Sequence, residues 1–320
     1  MLTISAEQIQ NALTFPSLVE ELRRAFKYGA ITPLRAHHSL ERPDGPEATL
    51  LIMPAWDDFT RTGDPENTFI GIKTVTIFPD NSRKDLPTVM GLYILLAGNS
   101  GIPLAVLDGQ SLTLWRTACA SALATSYLAR EDSSHMLMVG AGALAPYLIR
   151  AHAAVRPVRR VKIWNRNFEK AERLSQSMSG ENFHVEATNN LEQAARKADI
   201  ISCATISNRP LIMGKWLKPG AHLDLVGAFR PDLRESDDEA ITTARIYVDT
   251  RSGALKEAGD LVQPLEKGLI SKHDIVADLR ELTCGEDSGR QTHDEKTLFK
   301  SVGTALEDLA AARLVYKTSA

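Results

Sequence analysis

Met138-Val139-Gly140-Ala141-Gly142-Ala143-Leu144-Ala145 runs from an apolar strand pattern, through G-x-G-x-x-A, into the apolar helix pattern of Pro146 to Val155. In a βαβ unit the first glycine permits the tight turn and the second lets backbone approach a pyrophosphate. The small third residue lets helix and strand pack closely, with the helix N-terminus facing the anion. Gly140, Gly142, Ala143 and Leu144 are therefore the expected coenzyme contacts of this turn. A second strand pattern, Val161-Lys162-Ile163-Trp164-Asn165, ends about 25 positions on, where the ribose-recognition residue belongs. Asn165 and Arg166 stand there in place of Asp or Glu. A carboxylate would repel a 2′-phosphate and Arg can pair with it, so NADPH is expected, with NADH possible.

Working outward, short apolar runs alternate with amphipathic helices from His135 onward. The strand patterns are 135–140, 161–165, 183–188, 199–205, 222–227 and 245–250, with helices at Asn167 to Ser177 and Leu191 to Ala198. This rhythm predicts an α/β fold with a Rossmann-type, doubly wound parallel sheet. Ala204 and Thr205 fall at its carboxyl edge, where a coenzyme lies.

Ahead of it, the segments 73–78, 88–96 and 103–109 are β-rich, are separated by turn residues, and predict an antiparallel meander. Ser5 and Gln8 have capping-box spacing, and Pro16 to Gly29 reads as a helix stopped by glycine. Thr117 to Leu128 reads as a buried helix joining the halves. Thr304 to Val315 reads as an amphipathic helix that returns to the first half. The expected domains are 1–118 with 302–320, an α+β unit, and 119–301, the dinucleotide-binding unit.

The 320 residues include 37 Lys+Arg and 40 Asp+Glu, a net charge of −3, with 43% hydrophobic and 24% charged residues. No basic excess is available to neutralise phosphates, so nucleic acid and anionic membrane are not expected partners. Cys119, Cys203 and Cys284 are scattered and odd in number, which fits neither a disulfide framework nor a zinc site. The start carries no signal-peptide pattern, and the longest apolar stretch, 90–107, is broken by Gly98, Asn99, Ser100 and Pro103. A soluble, unprocessed, cytoplasmic protein is expected. His37 and His38 are adjacent and point to opposite faces of a strand, so no metal site is expected.

Further motifs carry a resemblance. They are 112–121 (LTLWRTACAS), Gly71-Ile72-Lys73-Thr74 leading to Phe78-Pro79-Asp80-Asn81, Trp164-Asn165-Arg166, and 219–222 through Val226-Gly227-Ala228 to Arg234-Glu235. With the glycine-rich turn they resemble the ornithine cyclodeaminase/mu-crystallin family, continuously from about Ile31 to the C-terminus. The resemblance implies a homodimer with a substrate-binding and dimerisation domain, completed by the C-terminal helix, and a Rossmann domain for NAD(P). It places carboxylate-binding residues at Arg35, Lys73 and Arg116, and coenzyme contacts at Val226, Gly227 and Gly303.

The chemistry agrees, since Arg offers a planar fork for a carboxylate and a lysine among apolar strand residues needs an anionic partner. One departure bears on activity. The position where ornithine cyclodeaminases carry an Asp aligns with Phe229, which cannot pair with an ammonium or take a proton. The pattern resembles the mu-crystallin side of the family and implies NADPH-dependent reduction of a small cyclic imino acid, Δ1-pyrroline-2-carboxylate or Δ1-piperideine-2-carboxylate. Arg35, Lys73, Arg116 and Phe229 face the substrate in this reading, with Lys73 or water as proton source. The resemblance leaves open ornithine cyclodeamination, alanine dehydrogenation, cis-3-hydroxyproline dehydration, and a non-enzymatic NADP(H)-binding role.

Overall fold

The computed structural model describes residues 1–60, 67–84 and 86–319. In chain order the first elements are β1 (Leu2–Ile4), α1 (Ala6–Ala12), α2 (Phe15–Tyr28), β2 (Ala36–Leu40), β3 (Ala48–Trp56), β4 (Phe69–Ile77), β5 (Val89–Ala97), β6 (Pro103–Asp108) and α3 (Gly109–Leu128). Then come β7 (His135–Val139), α4 (Ala145–Val155), β8 (Arg160–Trp164), α5 (Phe168–Ser177), β9 (His184–Ala187), α6 (Leu191–Lys197), β10 (Ile200–Cys203) and β11 (His222–Leu225). The last are α7 (Asp238–Thr243), β12 (Arg245–Val248), α8 (Arg251–Glu257), α9 (Gly259–Glu266), β13 (Ile275–Asp278), α10 (Leu279–Cys284), β14 (Thr297–Lys300) and α11 (Ala305–Ser319). Contacts divide the chain into one unit of Met1–Thr117 with Thr304–Ala320 and another of Ala118–Gly303. The division falls inside α3.

In the first unit, the described strands form a sheet of order β1-β6-β5-β4-β3-β2, antiparallel except for the β1–β6 pair. The expected meander is β4, β5 and β6. Strand β2 holds His37 and His38, expected on a strand, whereas β1 and β3 were not anticipated; in β3, Pro54 interrupts the apolar run. Pro54 is tolerated because β2 pairs with β3 only as far as Ile52, so no β2 residue is paired opposite the missing N–H. Ser5 and Gln8 make the capping box of α1, and Gly29 ends α2 with φ +78°. Helix α3 begins at Gly109 rather than Thr117, and the Asp108 carboxylate accepts the Ser111 N–H at 2.6 Å. Helix α11 is buried nearly all round and packs on α2, β3 and β4.

In the second unit the order is β13-β12-β14-β11-β10-β7-β8-β9, all parallel. Leu137, Val139, Ile201, Cys203, Leu223 and Leu225 are among its buried core residues. Both faces of a parallel sheet are covered, hence the continuous apolar runs. Strands β13 (IVAD) and β14 (TLFK) were missed; each ends in a charged residue that reads as surface. The chain winds outward from β7 in both directions, so β7 and β10 flank the topological switch point, where the carboxyl ends open a crevice.

Candidate functional site

At that crevice lies a cleft of about 960 Å³. Its floor is Gly140, Ala141 and Gly142 after β7; its sides are Trp164 to Asn167 with Lys170 after β8, and Ala204 to Arg209 with Leu211 after β10. Gly140 has φ +114°, and a Cβ there would stand 2.7 Å from the Ala204 carbonyl oxygen, so only glycine turns the chain this closely against β10. A Cβ on Gly142 would meet no protein atom within 4 Å and would project into open space. That is the cradle a pyrophosphate needs, and α4 begins there with no side-chain cap on its first amides.

Asn165 donates through Nδ2 to the Asn167 carbonyl at 2.9 Å, and Asn167 caps α5. Arg166 is exposed at the rim. Lys170 and Arg209 join it in the lining, and none of the lining residues is Asp or Glu. Sequence reading missed these two cations. Lys170 lies one helical turn past the motif, and Arg209 comes from a loop with no pattern of its own.

The structure brings Gly140, Gly142, Asn165, Arg166, Ala204 and Thr205 together in the cleft. Ala143, Leu144, Val226, Gly227 and Gly303 are not among its lining. Gly227 is buried, and a Cβ on it would lie 1.9 Å from the Thr205 carbonyl oxygen, so its glycine is needed for packing between two turns. The Gly303 N–H donates to Asp249 Oδ2 at 2.7 Å, alongside Val302 N–H at 2.8 Å. Phe229 is 41% exposed on the turn after β11.

The first unit holds a buried ion cluster. Lys73 on β4 is 2% exposed, and its Nζ lies 2.7 Å from Asp308 Oδ2 on α11. Arg116 on α3 donates from Nε to Asp308 Oδ1 at 3.0 Å and from a terminal nitrogen to Glu307 at 2.6 Å. One carboxylate thus bridges both cations. Burial and the neighbouring Arg116 charge pull the Lys73 ammonium down to about 8, Asp308 opposes them, and Arg35 adds a smaller push downward. Tyr93, paired with Lys73 across β4 and β5, points its hydroxyl over Gly71, where a Cβ would stand 1.8 Å from it. Sequence reading missed Asp308, Glu307 and Tyr93. A signal was present: Glu307 and Asp308 are adjacent acids in a helix whose neighbours are almost all apolar.

Other polar groups are structural. A cleft of about 600 Å³ beside α2 and α11 is lined by Glu21, Asp57 and Arg313, and Arg313 pairs with both carboxylates, at 3.3 Å for Asp57. In the second unit, Asp224 accepts from Ser202 at 2.6 Å and Ser121 at 2.9 Å, and lies 3.2 Å from His152. Both serines serve Asp224 rather than the imidazole, and all four residues are fully buried, so this is no serine–histidine nucleophile couple. Among the described residues no His/Cys/Asp/Glu group can hold a metal, and no helix is long and apolar enough to cross a membrane.

The model of the ornithine cyclodeaminase/mu-crystallin family matches residues 5–320. The chain belongs to this family. A Δ1-pyrroline-2-carboxylate reductase of Colwellia psychrerythraea is 38% identical over 322 residues, covering 98% of each chain. Among solved family structures, the Thermococcus litoralis Δ1-pyrroline-2-carboxylate reductase in complex with NADH and L-proline has a TM-score of 0.92 at 31% identity, covering 100% of this chain and 97% of its own. An archaeal alanine dehydrogenase dimer with bound NAD has a TM-score of 0.89 at 29% identity, covering 100% and 96%. The α/β fold with its parallel, Rossmann-type sheet is thus the family's.

Proposed function

We propose that the chain is an NADPH-preferring oxidoreductase that reduces the C=N bond of a small cyclic imino acid, Δ1-pyrroline-2-carboxylate or Δ1-piperideine-2-carboxylate, to proline or pipecolate. The observation that carries this reading is the buried ion cluster. Lys73 and Arg116 converge on the Asp308 carboxylate, Glu307 also pairs with Arg116, and the Arg35 charge acts on Lys73, so basic groups that suit a substrate carboxylate gather at one place. A reductase of Δ1-pyrroline-2-carboxylate related over nearly its whole length, and a solved relative holding L-proline, make the cyclic imine the first substrate to try.

Arg116 and Lys73 grip the carboxylate and fix the ring's orientation. The nicotinamide, when bound, supplies hydride to the C=N carbon. The ring nitrogen takes a proton from the Lys73 ammonium or from water, so the imine is reduced and the coenzyme oxidised with all charges balanced. Asp308 holds Lys73 in place and favours its protonated form. The coenzyme belongs in the second unit's cleft, where Arg166, Lys170 and Arg209 with no opposing carboxylate suit a third phosphate.

A homodimer goes with this reading. The sheet face of the first unit that carries Leu50, Ile52, Trp56, Ile70, Ile72 and Ile94 is apolar but only half-buried, and Leu92 on it is 55% exposed; a second copy of the chain covers it. A reducing cytoplasm suits its three cysteines, which are scattered and odd in number.

Spectrophotometric measurement of NADPH oxidation with each imine, with pyruvate plus ammonia, and with ornithine as comparison, tests the function. Rapid oxidation with a cyclic imine is expected. Turnover of pyruvate plus ammonia alone would replace this reading by alanine dehydrogenation. Ornithine with catalytic NAD is expected to release no ammonia, because Phe229 offers no carboxylate; robust proline formation would sink that assignment.

A further inference from the structure

The Arg234-Glu235 pair belongs to a motif that neither the cleft lining nor the ion cluster absorbs. Glu235 is fully buried in the second unit, yet its carboxylate faces two turns at once. Oε1 accepts the Thr205 N–H at 2.7 Å and the Thr205 hydroxyl at 2.8 Å. Oε2 accepts the Gly227 N–H at 2.7 Å and the Ala228 N–H at 3.2 Å. Thr205 lines the cleft after β10, whereas Gly227 and Ala228 sit behind it after β11. The backbone of Glu235 is itself fixed. Its N–H donates to Asp260 Oδ1 at 2.9 Å, as does that of Ser236, and Asp260 Oδ2 faces the buried Lys300 ammonium at 3.4 Å.

We propose that Glu235 is a positioning residue for the coenzyme: a buried carboxylate that ties the turn after β11 to the cleft-lining turn after β10, holding Thr205 and its neighbours where the coenzyme meets them. The inference rests on the cleft being the coenzyme site. Burial and Asp260 push the Glu235 carboxyl up to about 7, against Lys300 and the Thr205 donors. The four donors, the Thr205 N–H and hydroxyl and the Gly227 and Ala228 N–H groups, match the lone pairs of two carboxylate oxygens, which a neutral side chain would not offer. Glutamine shows why: it has one acceptor oxygen, so its NH₂ would face either the Gly227 and Ala228 N–H groups or the Thr205 N–H, donor against donor. Aspartate keeps the charge but is one methylene too short to reach both turns.

The test is NADPH binding to the whole protein, followed by coenzyme fluorescence, for wild type, Glu235→Gln and Glu235→Asp, with melting temperature measured in parallel. Glu235→Gln is expected to weaken NADPH binding by roughly tenfold or more, the size of about one lost hydrogen bond to a charged group. Glu235→Asp should fall between Gln and wild type. A purely structural role predicts a lower melting temperature with unchanged affinity of the folded protein, and that result overturns the proposal.

If the variants do not fold, hydrogen–deuterium exchange on wild type decides. NADPH should add protection to the amides of Gly227 and Ala228 as well as to 204–209. Protection confined to 204–209 overturns the coupling. A wild type that binds neither NADPH nor NADH overturns the coenzyme reading and this inference together, whereas normal wild-type binding with an unaffected Glu235→Gln overturns this inference alone.

Discussion

On the proposed reading, the cleft of the second unit and the ion cluster of the first bind anions in opposite ways. The cleft is a backbone device. Two glycines, an uncapped helix start and three cations gather at one sheet crevice, and water reaches much of it. The cluster is a side-chain device, with Lys73 and Arg116 almost completely buried and already ion-paired to α11. In high dielectric a lost charge costs little; in a closed interior the partners left behind cannot be resolvated. Mutations in the two places should therefore differ in size by orders of magnitude.

Arg116→Ala is the harshest way to test that contrast. It removes the Arg116 partner of Glu307 and half of the Asp308 bridge, so a loss on the order of 3 to 4 kcal/mol, a hundredfold to a thousandfold in kcat/KM, is expected from breaking a buried charged pair. Arg116→Lys should recover little, because a point charge cannot serve two carboxylates through a planar fork. NADPH affinity, measured by fluorescence on the folded variant, should be unchanged. A destabilised Arg116→Ala with normal kinetics would reduce the cluster to a structural device.

Asp308→Asn comes next. Lys73 must be charged to donate a proton, so activity should fall as pH rises through about 8. The charged groups acting on Lys73 are Arg116 from α3, Asp308 from α11 and Arg35, with Tyr93 paired opposite it on β5 and Glu307 held on Arg116. Asp308 is in ion-pair contact with the ammonium and favours its charged form, so neutralising it lowers the Lys73 value further. The basic limb of the kcat/KM profile should move to lower pH, with about a tenfold loss at neutral pH. An unmoved limb would assign the proton to water.

Legibility followed the same division. The βαβ turn could be read from eight consecutive residues because each glycine has a local duty, and strands β7 to β12 announced themselves as short segments rich in apolar residues alternating with helices. Lys73 and Arg116 were legible only through resemblance. Their partners, Glu307 and Asp308, lie about 190 positions from Arg116 in sequence, and no local pattern encodes that distance. Strand β14 hid for a related reason. Its four residues end in Lys300, which reads as a surface charge until Asp260 is found beside it. Gly227 was legible as a glycine that matters, but its duty is to admit the Thr205 backbone, which only the fold reveals.

The smallest expected effect belongs to the rim of the cleft. Arg166 is exposed and lines the cleft with Lys170 and Arg209, so on the proposed reading the field on a 2′-phosphate is distributed and screened by water. A single solvent-facing pair is worth about 1 kcal/mol, so Arg166→Ala should lower the ratio of kcat/KM for NADPH over NADH by roughly fivefold. NADH kinetics should not move, since the residue has no phosphate to meet there. Raising the salt concentration should erode the same ratio in wild type and less so in the variant, because screening and deletion remove the same attraction. If Arg166→Ala leaves the ratio untouched while Lys170→Ala or Arg209→Ala changes it, the phosphate lies deeper in the cleft than the end of β8. If none of the three moves it, the cleft does not discriminate by charge, and the coenzyme preference must come from the fit of the ribose against Asn165 and Trp164.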